Sequence, residues 1–65
     1  MGRHQEAHDL HQDTHQALER LLGPDHPDTL NTANNLALDL RALGRNDEAQ
    51  ALEIDIRGRR QRVRS

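Results

Sequence analysis

The sequence predicts an all-α fold, an antiparallel helix-turn-helix repeat of the α-solenoid type, and three observations carry that prediction. Apolar residues recur at helical spacing, two glycine-centred breaks divide the chain into three segments, and the first segment matches the last in register. The apolar complement is mostly ten Leu and seven Ala, with two Ile, one Val and no aromatic residue, which favours helix over strand. One domain is all that 65 residues permit.

The first helix is expected over residues 3–22. At about 100° per residue, Ala7, Leu10, Thr14, Ala17, Leu18 and Leu21 share one face. It ends where Gly23-Pro24-Asp25-His26-Pro27-Asp28 places a glycine able to take positive φ before two prolines that cannot continue a helix. Asp28 then reads as the N-cap of a second helix over 28–43. Leu30, Ala33, Ala37 and Leu40 line one side of it, while Leu36 and Leu43 broaden the apolar surface toward an adjacent side, as in a helix packed between two others. Gly44 closes that helix, and Asn46 or Asp47 caps a third over 46–62. Ala49, Leu52, Ile56 and Val63 align on the third helix, whereas Ile54 lies off this face, exposed or held for a partner. Gly58 is expected to fray the arginine-rich end, residues 57–65.

Gly2-Arg3-x-x-Glu6-Ala7-x-x-Leu10-x-x-Asp13 repeats as Gly44-Arg45-x-x-Glu48-Ala49-x-x-Leu52-x-x-Asp55, six identities at a constant offset of 42 residues. The chain therefore holds about one and a half repeats: the second helix of one unit, then both helices of the next. With Leu22-Gly23-Pro24-Asp25-His26-Pro27-Asp28-Thr29-Leu30, Asn34-Asn35-Leu36-Ala37 and Leu43-Gly44-Arg45-x-x-Glu48-Ala49, most of residues 2–56 resembles a tetratricopeptide repeat of the 42-residue kinesin-light-chain type. It departs from that pattern at Ala33, Leu40, Asn46 and Glu53, where family members often place aromatics. The resemblance implies a non-catalytic interaction or scaffolding module whose stacked helices bind a protein or peptide. It places Asn31, Asn34, Leu38 and Arg41 at groove-facing positions, where amides can hold a peptide backbone and Arg41 an acidic side chain. The alternative is that the two asparagines are simply solvated.

His4, His8, His11 and His15 follow at spacings of four, three and four, within an arc of about 60° beside the apolar stripe. Imidazoles one turn apart chelate Zn, Ni or Cu, so His4/His8 and His11/His15 are candidate bidentate sites of a metal-binding helical assembly. The competing reading is a solvated or interface-lining face, because a structural zinc site normally has four ligands. No cofactor is otherwise implied.

The remaining composition narrows function by exclusion. With no Cys there is neither a disulfide framework nor a thiolate site. No phosphate loop, Ser-His-Asp signature or glycine fingerprint is present, so no enzyme is expected. The net charge of −2 divides into about +5 over residues 57–65 and about −7 over the rest. That arginine tail could grip phosphates, but an otherwise acidic chain without stacking aromatics argues against nucleic acid as the partner. No apolar run is long enough for a membrane span, and a soluble, cytoplasmic chain is expected. The first helix lacks a preceding partner and the third a following one, which predicts a homo-oligomer, a dimer with or without exchanged helices.

Overall fold

A computed structural model describes the backbone of residues 3–64 and the side chains of residues 3–62. Three helices follow in order, α1 (Arg3–Leu22), α2 (Pro27–Ala42) and α3 (Asn46–Arg64), and no strand occurs among the described residues. Both outer helices pack on α2 and, among the described residues, make no contact set with each other. The molecule is consequently a slab of 41 × 23 × 11 Å, about one helix thick.

The turns are fixed by chemistry that the glycines permit. Gly23 and Gly44 take φ of +94° and +81°, a region costly for any residue with a Cβ. Around Gly44 the Arg45 N–H donates to the Leu40 carbonyl at 2.8 Å and the Gly44 N–H to the Arg41 carbonyl at 3.0 Å, the paired bonds of a Schellman cap. The start of α2 differs from the sequence expectation. His26, in extended conformation, is the N-cap: its Nδ1 accepts from the Asp28 N–H at 3.1 Å, with Pro27 inside the first turn. Pro27 has no N–H to leave unsatisfied, so the helix begins one residue before Asp28. Asn46 is already helical, and the Arg45 carbonyl accepts the first bond of α3, from Ala49. Nor does α3 end early, since it runs through Gly58 to Arg64.

The core is nearly all α2. Leu30, Ala33, Leu36, Ala37 and Leu40 are buried there, met by Ala49 and Ile56 of α3, with Leu52 packed against Leu30, Ala33 and Ile56. Ala37 and Ala49 are fully buried, which is what lets the two helices approach closely. Ile54 is exposed, as its off-face position predicts. Val63 lies outside the described side chains.

Helix α1 is seated differently from the simplest reading of its leucines. It has no buried residue, and its half-buried positions are Ala7, His8, His11, His15, Ala17 and Leu18. Leu10 and Leu21 are 65% and 79% exposed. The side resting on α2 is therefore centred on histidine, while Leu10, Thr14 and Leu21, half of the apolar stripe, are exposed. The repeat explains this. Shifted by 42 residues, Ala7, Leu10 and Thr14 correspond to Ala49, Leu52 and Ile56, the α3 residues that pack on α2. By that register Leu10 and Thr14 occupy the positions through which α3 packs on the first helix of its own repeat, whereas α2 belongs to the repeat after that of α1.

Candidate functional site

Because α1 and α3 flank α2 on two sides, α2 keeps one open face. Asn31, Asn34, Leu38 and Arg41 are all exposed on it, at spacings of three, four and three that keep them on one side of the helix. Leu38, 55% exposed, gives this polar strip an apolar centre. Two of the four are tied to α3. The Arg41 guanidinium donates from Nε to Glu53 at 3.0 Å and from its terminal nitrogen to the other Glu53 oxygen. That hydrogen bond holds the Glu53 carboxyl below its ordinary pKa against the opposing effect of burial, helped by the charges of Arg41 and Arg57, and raises Arg41 in return. At the other end of the strip Arg60 donates to Asn31 Oδ1 at 3.4 Å.

Further along the α2–α3 seam, Arg59 donates to Asp55 at 2.8 Å and to Asp25 in the first turn at 2.9 Å. Both bonds raise its pKa, Asp55 first. The arginine end of α3 is therefore partly used in locking α3 to the α1–α2 turn. Residue spacing could not foretell Glu53 or Arg60 as neighbours of the groove, because both reach it from another helix.

On the opposite side of α2, Leu36 and Leu40 floor an open cleft of about 360 Å³ between α1 and α3. His8, His15 and Glu19 stand on one wall, and Arg45, Glu48 and Leu52 on the other. Arg45 and Glu48 are paired through two hydrogen bonds, at 3.2 and 2.7 Å.

Of the four stripe histidines, His4 is exposed, while His8 and His15 share one wall of the cleft, His8 also standing 3.4 Å from Asp9. His11 Nδ1 lies 2.5 Å from Oδ2 of Asp39, a buried α2 carboxylate, and this pair joins α1 to α2. No group of three or more His, Cys, Asp or Glu positioned to hold a metal occurs among the described residues.

A middle helix clamped between two register-equivalent helices, with glycine caps and a polar strip left open, defines a helical-repeat interaction module. The model for the tetratricopeptide repeat matches residues 1–56, and the chain belongs to that family. No curated protein and no solved structure gives a match. No helix among the described residues is long and apolar enough to cross a membrane.

Proposed function

We propose that this chain is a non-catalytic scaffold module, of the 42-residue kinesin-light-chain-like type, that binds a peptide segment of a partner protein along the open face of α2. The observation that carries the reading is the common exposure of Asn31, Asn34, Leu38 and Arg41 on one helix side. The Asn34 amide is free to bridge a peptide N–H and C=O, and Leu38 supplies an apolar contact. Arg41 is already engaged by Glu53, so an acidic ligand side chain must compete for the guanidinium or share it. Self-association through the uncovered helix faces belongs to the same reading, since a slab one helix thick gains core only by stacking. A cytoplasmic setting agrees with a surface built without disulfides.

Selection from a random peptide display library, followed by titration of the best binder into isotopically labelled protein, tests the proposal. The expected outcome is shift changes at Asn31, Asn34 and Leu38, and affinity about tenfold weaker or worse for Asn34→Ala/Leu38→Ala. Selected peptides that instead perturb Leu36, Leu40 and Leu52 would move the site to the opposite cleft.

A further inference from the structure

We infer that the leucine face of α1 is a twofold interface, in which exposed Leu10, Thr14 and Leu21, with half-buried Ala17 between them, pack antiparallel against the same four residues of a second copy. The inference rests on the self-association proposed above and specifies its surface and geometry. Three observations support it.

The first is that this stripe is a helix-packing surface. Ala49, Leu52 and Ile56 of α3, the register equivalents of Ala7, Leu10 and Thr14, are spent on α2, whereas no described residue covers Leu10 or Leu21. Leaving two leucines mostly in water forgoes a stabilisation that burial against another helix supplies.

The second is the order along the stripe. The spacings of four, three and four are symmetric about the point between His15 and Gln16. Reversing a second α1 about that point sets Leu10 against the partner's Leu21 and Thr14 against the partner's Ala17. Small residues then meet at the centre, where two helix axes approach most closely, and leucines close both ends. A surface that complements its own reversed copy is what a twofold contact requires.

The third is charge. Asp13 and Arg20 lie along one edge of the stripe, both exposed, and neither forms an ion pair among the described residues. In the antiparallel arrangement this edge faces its own copy, so Asp13 comes within about two residues' rise of the partner's Arg20, and the pair forms twice. The two helix dipoles also oppose. A parallel pair turns the same edge toward the partner's α2 side and leaves those charges unmatched.

Sedimentation velocity over a wide concentration range tests this in the intact chain. The wild type is expected to show a concentration-dependent dimer, and Leu10→Asp/Leu21→Asp to abolish it while keeping the helical circular dichroism, because both side chains are exposed. Asp13→Arg alone and Arg20→Asp alone should each weaken the dimer by about tenfold, since each sets like charges together. Their equimolar mixture should recover it, because in the mixed dimer each substituted side chain again meets an opposite charge on the other chain. The chain has no cysteine, so orientation is read cleanly: Thr14→Cys mixed with Ala17→Cys should give predominantly mixed disulfides. Predominantly homodisulfides would contradict the antiparallel pairing. A wild type monomeric throughout would overturn both this interface and the self-association behind it. A dimer indifferent to the α1 substitutions but lost in Ile54→Asp would overturn the α1 interface alone and move self-association to α3.

Discussion

Thr29 is fully buried near the start of α2, and its hydroxyl has no hydrogen-bond partner among the described residues. A desolvated hydroxyl without a partner costs about 1–3 kcal/mol, so Thr29→Val, which keeps the shape and removes the polar atom, should stabilise the fold. Thermal unfolding is expected to rise by several degrees, since 1 kcal/mol moves a domain of this size by about 4–8 °C. The His11–Asp39 contact predicts the opposite response. Asp39→Ala removes the partner of a half-buried imidazole and should cost about 1–3 kcal/mol, and His11→Ala/Asp39→Ala should cost less than the two single changes summed. Glu53 supplies a pH dependence whose sign is fixed. Arg41 depresses its folded pKa, so this carboxylate contributes stability above its ordinary value of 4.5, and the contribution is lost as pH falls through the lower folded value. In Glu53→Gln that part of the acid sensitivity should vanish from denaturation curves taken between neutral and acid pH. At this scale the sequence showed which side chains share a helix side, as with Asn31 through Arg41. It did not show Asp39 beside His11 or Glu53 beside Arg41, because each pair spans two helices whose rotation about their axes spacing alone leaves open.

The helices themselves were legible wherever a local rule governs them. Gly23 and Gly44 both adopt the positive φ that their positions require. Gly44→Ala should therefore destabilise by about 1–2 kcal/mol even though a Cβ there would meet nothing within 4 Å. Gly58 is the useful contrast. It sits inside α3 with equally open space around it and an ordinary φ, so Gly58→Ala should stabilise by about 0.5–1 kcal/mol and raise the helical circular dichroism signal. α3 continues through Gly58 because helix propensity is a small penalty, and Arg59 ties that turn to Asp25 and Asp55. At the start of α2 an aspartate looked like the natural cap, and a histidine nitrogen performs the same acceptor role two residues earlier. The largest departure concerns α1. Its leucines share one face as expected, but Leu10 and Leu21 do not pack on α2. The 42-residue register held the answer, since it equates Leu10 with Leu52.

Taken as a whole, the molecule is three helices in a single layer, with a core drawn from one face of α3 and two sides of α2. Such a core has little redundancy. Ile56→Ala removes one of only two α3 side chains buried among the described residues, and a loss of about 2–5 kcal/mol is comparable to the whole stability of a domain this small. Because α1 buries no residue completely, its amides should exchange with solvent faster than those of α2, with α3 between them near Ile56. Most depends on which side of α1 rests on α2, because that choice leaves the leucine stripe open for a partner. Nuclear Overhauser contacts in uniformly labelled protein measure it directly. Contacts between the His11 ring protons and the Asp39 β-protons are expected, with none from the Leu10 or Leu21 methyls to Leu36. Strong contacts from Leu10 or Leu21 to Leu36, with the His11 ring remote from Asp39, would contradict it.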